Sequence, residues 1–413
     1  MKTLNKQVTL VPQYMNKFSC IGSECEDSCC SGWKVTIDQP TYKKYKKSRH
    51  IELKELFDKN IIRNRSNPSE ADYAKIKLDK GGNCPFLSEE KLCRVQMNLG
   101  EENLSTTCTT YPRSNHLIDG IIERSLTLSC PEAARLALLE PNGIEFDEVE
   151  NAVESNIFIS KKFKGDSPAN NGKPAQYFWE LRFFTIQLLQ NRNYSIEDRL
   201  VILGMFLKKV QEIISLNKVN DIPQIIGQYV KVIDEGSLRK ELDNIPTQNR
   251  IQMKLTKAII DRRFLDGVNS PRFIECLKES LMGMGYITNA SMSEVTDKYN
   301  HAFETYYSPF FQEHEYIFEN YLVNYVFKNL FPLGKKSVYD DYVMLVIHYS
   351  MIKLLLIGLS SYHNGLTTDI VIKLIQSFAK TVEHNGQFLT KVLDILKDEG
   401  YTSLAFMAIL IKN

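Results

Sequence analysis

Apolar and polar residues alternate differently in the two parts of the chain. Up to about residue 135, short apolar runs are broken by turn signals, among them Gly81-Gly82, Pro85 and Pro112, and no helical period is sustained. From Gln176 onwards, apolar residues recur at the three- and four-residue spacing typical of amphipathic helices. This pattern predicts a mainly α protein, in which a cysteine-rich, loop-rich amino-terminal module precedes a larger all-helical carboxy-terminal domain.

The clearest predicted helix start lies in the second part. Ser195 precedes Asp198 by three positions just before an apolar run, which is the form of an amino-terminal capping box. The predicted helix runs to about Ile214, and its apolar face consists of Ile196, Leu200, Leu203, Phe206, Leu207 and Val210. Further amphipathic stretches are predicted at 177–190, 224–234, 252–264, 272–284, 293–306, 313–330, 341–360, 368–383, 387–397 and 403–411.

Polar, turn-rich sequence separates the two parts. Residues 141–174 contain the segment KGDSPANNGKP and are predicted to form a linker between a metal module at 1–140 and a helical domain at 175–413. Extended, alternating segments are scarce, and 34–38 and 124–128 are the best strand candidates.

One apolar segment, 342–359, approaches the length of a membrane span. It carries His348 and Lys353 near its middle, and each is costly in hydrocarbon, so we interpret the segment as a buried helix. Peripheral membrane association stays an open alternative, and the sequence leaves the oligomeric state open.

The 51 basic residues are balanced by 50 acidic ones, which argues against nucleic acid as a partner, because phosphate neutralisation needs a basic excess. Cysteine usage is more informative, since eight of the nine cysteines precede residue 131. Residues 1–19 lack the continuous apolar region of a secretory signal, so a cytoplasmic location is expected. In that reducing compartment, clustered thiols more often hold a metal than form disulfides.

The spacing of these cysteines supports a metal site. It runs C-x4-C-x3-C-C, then C-P-F-L-x5-C, and close spacing lets thiolates converge on one centre at little entropic cost. The candidate ligands are Cys20, Cys25, Cys29, Cys30, Cys84, Cys93, Cys108 and Cys130. All-sulfur coordination suits a [4Fe-4S] cluster, which takes four thiolates. Zinc is the alternative metal, although no C-x2-C pair occurs, and plain buried thiols or disulfides are a third alternative.

These motifs carry a resemblance to a known family. The segment FSCIGSECEDSCCSGW, 18–33, resembles the opening of the flagellin lysine-N-methylase (FliB) family. The motifs CPFL at Cys84, C-x2-YPR at Cys108 and SCPEAA around Cys130 resemble its continuation, and also the wider group of cysteine-rich zinc- or iron-chelating domains. In the second part, ENYLVNYVFKNLFP, 319–332, is similar to a stretch of the same family.

The resemblance implies a bacterial enzyme that transfers a methyl group from S-adenosylmethionine to lysine ε-amines of flagellin. It also implies a cytoplasmic reaction before export and dependence on a cysteine-bound [4Fe-4S] cluster. The alternative from another class is a non-enzymatic zinc- or iron-binding module with a helical protein-interaction domain.

Methylation of lysine by direct displacement needs a neutral amine, yet only about 0.04% of an unperturbed lysine is deprotonated at pH 7. The site must therefore desolvate the amine or supply a base. Asp38, Tyr111, His116 and Glu123 lie close in sequence to the cysteine motifs and are candidates, and each has an ordinary structural role as its alternative.

The donor site is not marked by a familiar motif. No glycine-rich loop follows a strand as in a Rossmann fold, and Cys29 is followed at once by Cys30, which breaks the C-x3-C-x2-C spacing of radical S-adenosylmethionine enzymes. Arg113 and Tyr111 are the candidate cofactor-binding residues. Arg113 is a candidate to clamp the donor carboxylate or to hydrogen-bond a cluster sulfur, with a loop salt bridge as its alternative. Trp33 is predicted to be a core aromatic.

Overall fold

The computed structural model describes residues 6–32, 35–152, 158–265, 267–268, 270–286 and 290–413. The interpretation of Trp33 therefore lies outside the described residues. The predicted mainly α fold is confirmed, and the named elements from residue 178 onwards are helical. The strands are β1 (Lys6–Pro12), β2 (Thr36–Ile37), β3 (Ile61–Arg63), β4 (Ala74–Ile76), β5 (Arg113–Ile118), β6 (Ile121–Leu126), β7 (Phe146–Ala152) and β8 (Lys161–Phe163).

Helices form the remainder of the framework. The α-helices are α1 (Gln39–Lys46), α2 (Ile51–Asn60), α3 (Arg94–Leu99), α4 (Thr106–Thr110), α5 (Pro131–Leu138), α6 (Phe178–Leu189), α7 (Ile196–Ser215), α8 (Ile222–Asp234), α9 (Arg239–Asp243), α10 (Asn249–Leu265), α11 (Pro271–Gly283), α12 (Met292–Ala302), α13 (Ser308–His314), α14 (Tyr316–Lys328), α15 (Val338–His363), α16 (Thr368–Phe378), α17 (Gly386–Asp398) and α18 (Leu404–Ile411). Two π-helical turns continue α12 and α16 at Phe303–Tyr307 and Ala379–Glu383. The short 3-10 turns are Gln13–Lys17, Gly22–Glu24, Glu101–Asn103, Pro168–Asn170, Pro174–Tyr177 and Val219–Asp221.

A five-stranded sheet with the order β7-β1-β6-β5-β8 lies in the first part of the chain. Strand β1 is parallel to β6 and antiparallel to β7, and β5 is antiparallel to β6 and parallel to β8. Of these strands, the sequence pattern predicted only the one at 124–128, which overlaps β6. The segment 141–174 contributes both β7 and β8 to this sheet. Its role as a boundary between domains stays a prediction.

Helix α15 is the centre of the molecule. It is the one described helix that is long and apolar enough to cross a membrane, and its apolar window is completely buried inside the protein. The interpretation of 342–359 as a buried helix is thus confirmed. Its lysine, Lys353, is kept inside the protein by the Glu197 carboxylate at 3.1 Å and the Ile411 carbonyl oxygen at 2.8 Å.

Helix α7 forms where the sequence predicted a helix, and it packs against α15. The Ser195 hydroxyl accepts a hydrogen bond of 3.2 Å from the Asp198 backbone N–H, and all six residues of the predicted apolar face are buried. Gly204 permits the close approach of the two helices, because an added Cβ would lie 2.2 Å from the Tyr342 hydroxyl. Any larger residue there would force α7 and α15 apart.

The buried hydrophobic residues form a main core, a smaller core and a third, minor cluster of Ile118, Phe178 and Leu330. The main core includes α5 and the carboxy-terminal helices. The smaller core lies between residues 35 and 108, around the antiparallel sheet with the order β2-β4-β3 and helices α1 and α2. The predicted strand at 34–38 overlaps β2. Four cysteines pack in or against this smaller core, namely Cys30, Cys84, Cys93 and Cys108.

Candidate functional site

A cavity of about 200 Å³ opens within the smaller core, and six of the eight amino-terminal cysteines line it. They are Cys20, Cys29, Cys30, Cys84, Cys93 and Cys108. Apolar side chains such as Val35 and Phe86 form part of the wall. The structure thus brings together residues up to 88 positions apart in sequence, as the predicted single cysteine site requires.

Local backbone contacts place these cysteines. The Cys84 backbone N–H donates to the Cys30 carbonyl oxygen at 2.7 Å, which holds the second cysteine segment against the first. Cys93 is the N-cap residue of α3 and forms an antiparallel β-bridge with Leu87. Cys108 lies in α4, whose first turn is capped by the Ser105 hydroxyl. The remaining pair, Cys25 and Cys130, lies outside the lining, and Cys130 begins α5 and packs against the main core.

The thiols of Cys30, Cys108 and Cys130 resist ionisation as they stand. The Cys29 thiol lowers the pKa of Cys30, but the Cys84 thiol and burial outweigh this effect and raise that pKa to about 12. Burial raises the pKa of Cys108 and of Cys130 to about 11. Because these thiols stay protonated at neutral pH, ligation would need the positive charge of a metal or cluster.

Among the described residues, no three His, Cys, Asp or Glu side chains are arranged closely enough to hold a metal ion as they stand. The Sγ atoms of Cys29 and Cys30 lie 3.9 Å apart. The donor set is nonetheless all sulfur around one cavity, which is the chemistry of a soft metal or an iron–sulfur cluster. Ligation would require these side chains to turn inward, and cysteine has only χ1 to rotate. The ligand assignment stays a prediction.

A second, more polar cleft of about 390 Å³ lies beside the cysteine cavity. Tyr111 and Arg113 line both spaces, so they stand where the two meet. Arg113 is exposed, and its guanidinium lies 5.4 Å from the centre of the Phe18 ring. The Tyr111 hydroxyl lies 3.1 Å from the Ser129 hydroxyl, and burial raises the pKa of Tyr111 well above its ordinary value. The role of the pair in binding the donor stays a prediction.

The far wall of the cleft comes from the carboxy-terminal helices. Lys328 Nζ lies 2.7 Å from the Glu383 carboxylate, which also accepts a hydrogen bond of 2.8 Å from the Tyr321 hydroxyl. Burial would raise the pKa of Glu383, but the Lys328 charge and these hydrogen bonds hold it well below its ordinary value. His384 Nε2 lies 2.8 Å from the Ser129 hydroxyl. The cleft therefore contains a permanent carboxylate and an imidazole.

The four predicted base candidates fall in different places. His116 lines the cleft, where Nε2 lies 2.9 Å from the Lys328 carbonyl oxygen and burial lowers its pKa. Tyr111 lines it as well. Asp38 and Glu123 do not line either cavity. The buried Glu123 carboxylate pairs with the buried Arg182 guanidinium, one hydrogen bond being 2.9 Å long.

Sequence reasoning missed the carboxy-terminal part of this site. Lys328, Glu383 and His384 are more than 190 residues away from Cys130. The sequence pattern places Lys328 and Glu383 in predicted helices and His384 directly after one, and it assigns none of them to a site. Two signals pointed to this region: the family-like stretch 319–332 contains Lys328, and the polar residues Gln376, Lys380 and His384 recur at every fourth position.

Comparisons with known proteins agree on one family. Residues 182–410 match the family described as FliB lysine N-methylase C-terminal domain. A lysine-N-methylase of Salmonella typhimurium is 28% identical over 397 residues, which cover 92% of this chain and 94% of the relative. A lysine-N-methylase of Salmonella choleraesuis is equally similar, at 28% over 396 residues. The flagellar biosynthetic protein FliU of Salmonella muenchen is 41% identical over 154 residues, or 37% of this chain and 90% of that protein. No solved structure matches the chain.

Proposed function

The chain belongs to the FliB lysine N-methylase family, and we propose from this that it is a protein lysine N-methyltransferase. The donor is S-adenosylmethionine, and the acceptor is the ε-amine of lysines on flagellin, modified in the cytoplasm. The names of two relatives similar over 92% of the chain support lysine methylation, and the flagellar name of a third supports flagellin as the substrate. The structural observation that most supports this proposal is that the cysteine cavity and the polar cleft meet at Tyr111 and Arg113.

The cysteine cavity would hold a [4Fe-4S] cluster, with zinc as the alternative metal. Four of the six lining cysteines pack in or against the same apolar core, so Cys30, Cys84, Cys93 and Cys108 are the favoured ligands. The low-polarity wall would shield the site from water, and a cluster bound there would supply electron-transfer or Lewis-acid chemistry.

The polar cleft would receive the acceptor lysine and the donor. Arg113 has the fork geometry to bind the donor carboxylate, and Tyr111 would position the donor beside the cysteine site. The buried Glu383 carboxylate attracts a cationic lysine, while the cations Lys328 and Lys380 near the cleft favour loss of its proton. His384 would orient the neutral amine by a hydrogen bond while the proton leaves to solvent, because burial, Lys328 and Lys380 lower the pKa of His384 to about 4 and keep it neutral at pH 7.

The test is methyl transfer by anaerobically purified protein after iron, sulfide and zinc have been measured. We expect labelled methyl to move from S-adenosylmethionine to flagellin lysines. We expect Arg113→Met to raise the KM for the donor at least tenfold, and Arg124→Met, a change in the adjacent strand, to leave that KM unchanged. Lack of transfer by protein with a verified metal site would favour the non-enzymatic binding module instead.

A further inference from the structure

Three polar side chains at four-residue spacing point from one carboxy-terminal element towards the cysteine segments. Gln376 lies in α16, Lys380 in the π-helical turn, and His384 directly after it. Gln376 Nε2 donates to the Asp27 carboxylate and to the Ser129 carbonyl oxygen, both at 2.8 Å. His384 contacts the Ser129 hydroxyl. The row therefore contacts both the segment that carries Cys29 and the segment that carries Cys130.

The π-helical turn keeps this row aligned. In an α-helix each residue advances by about 100°, so residues four apart drift by about 40° around the axis. The wider i→i+5 turn at Ala379–Glu383 rotates less per residue and offsets that drift between Lys380 and His384. Single π-helical turns inside α-helices occur frequently at functional sites.

Lys380 makes the densest contacts of the row. Its Nζ lies 2.9 Å from both carboxylate oxygens of Asp27, 2.9 Å from the Ser28 carbonyl oxygen and 3.3 Å from the Ser31 hydroxyl. The Lys380 side chain is 6% exposed and the Asp27 side chain 15%. All three contacted residues lie between Cys25 and Cys30 or next to Cys30 in sequence. A single buried ammonium thus fixes the loop that supplies three of the eight candidate ligands.

The charge of Lys380 also lies beside candidate ligands, because two of its partners, Ser28 and Ser31, are the direct sequence neighbours of Cys29 and Cys30. In a weakly solvated site, a fixed positive charge near thiolates favours the more negative state of whatever they bind. Asp27, of opposite charge, lies on the other side of the same ion pair.

We propose that Lys380 is a positioning residue of the cysteine site, which holds the Cys25–Cys30 loop in place and sets the local charge beside the bound metal. The proposal rests on the proposed function only in that these cysteines hold a metal. It assigns to the carboxy-terminal domain a direct part in building a site whose ligands all come from the amino-terminal module.

The proposal predicts opposite effects of the two partners on reduction potential. Lys380→Met removes a positive charge and keeps the aliphatic length, so the potential should fall. Asp27→Asn removes a negative charge, so the potential should rise. We expect each change to alter the ratio of oxidised to reduced protein at a fixed potential about tenfold, which is about 59 mV for a one-electron couple. If Lys380 only held the loop in place, the two changes would not shift the reduction potential in opposite directions.

The experiment uses the full chain purified without oxygen. Metal release to a chelator is timed for iron or zinc, and the midpoint potential is measured by redox titration when iron is bound. Lys380→Met should release metal at least ten times faster than wild type, and Lys380→Arg should restore most of the retention. The control is Lys397→Met, which removes the ion pair between Lys397 on α17 and Asp340 on α15 and should leave both readouts unchanged.

Unchanged release from Lys380→Met, or potential shifts of the same sign in the Lys380→Met and Asp27→Asn proteins, would overturn this proposal alone. Wild-type protein that binds neither iron nor zinc would overturn the cysteine site itself, and the role of Lys380 with it. The two failures are therefore distinguishable.

Discussion

At the scale of single residues, the fully buried His348 makes the stability of the protein depend on pH. It lies in α15 against the rings of Tyr325 and Phe378, and neither ring nitrogen has a hydrogen-bond partner. Burial lowers its pKa to about 4, with Lys328 adding to this and the Glu383 charge opposing it. The folded protein therefore holds this imidazole neutral.

This predicts a pH-dependent loss of stability. Between the unfolded pKa of about 6.5 and the folded value of about 4, the unfolded chain binds the extra proton, so the free energy of unfolding falls as pH falls through this window. Across the whole window, His348 lowers the free energy of unfolding by about 3 kcal/mol. In His348→Phe, urea unfolding at pH 7 and pH 4.5 should lose this part of the pH dependence. The same change at the exposed His301 should leave the curve as in wild type.

At the scale of elements, Asp38 joins two helices of the cysteine module. One carboxylate oxygen accepts from the Thr41 N–H at the start of α1 at 2.9 Å, and the other accepts from the Thr106 N–H at the start of α4 at 2.9 Å. Burial raises the pKa of Asp38, but these hydrogen bonds outweigh it and hold that pKa below its ordinary value. Because α4 carries Cys108, this carboxylate helps to place a candidate ligand.

We therefore expect Asp38→Asn to lower the free energy of unfolding by about 2 kcal/mol at pH 7, because a buried acceptor becomes a donor facing other donors. The folded pKa is depressed, so the difference from wild type should shrink as pH falls below about 4. Urea unfolding and chelator-driven metal release provide the two measurements. Asp58→Asn, whose carboxylate pairs with Lys46 and Lys54 at the surface, should change neither. A silent Asp38→Asn would show that α4 is held by its apolar contacts instead.

Elements were predictable where the signal was local. The Ser195 cap and the apolar face of α7 depend on residues within one helix, and the structure confirms both. Strand β1 pairs with β6 across more than 100 residues, and the polar sequence FDEVENA of β7 is typical of an edge strand that only its partner defines. The periodicity of a local sequence does not show which distant strand it pairs with, so β1 and β7 were not predictable.

The candidate site likewise has one part that the local sequence predicted and another that depends on tertiary structure. Eight clustered cysteines predicted a common location, and six of them line one cavity. The contributions of Lys328, Lys380 and Glu383 depend on how α14 and α16 dock on the amino-terminal part, which is a tertiary property. Sequence spacing within one helix could show that Lys380 interrupts an apolar face, but it could not show which loop this lysine meets.

At the scale of the whole molecule, several polar contacts link the main hydrophobic core to the cysteine segments beside the smaller core. The ion pair Lys380–Asp27, the hydrogen bonds of Gln376 and the ion pair Arg135–Glu26 connect the cysteine segments to the main core. Such contacts contribute less to stability than a shared apolar interface, since their charges are also well solvated in the unfolded chain. The smaller core is therefore expected to unfold at lower denaturant than the main one.

Two buried cysteines report on the two cores separately. Cys84, 7% exposed, belongs to the smaller core, and Cys276, 1% exposed, belongs to the main core in α11. In metal-free, reduced protein, pulsed thiol labelling followed by mass spectrometry should show Cys84 becoming reactive at a lower urea concentration than Cys276. Bound metal should reduce the difference between these two urea concentrations, because it stabilises only the folded form of the smaller core. If Cys84 and Cys276 became reactive at the same urea concentration without metal, the polar contacts between the cores would couple them into one cooperative unit. Lys380→Met should then separate the two unfolding transitions.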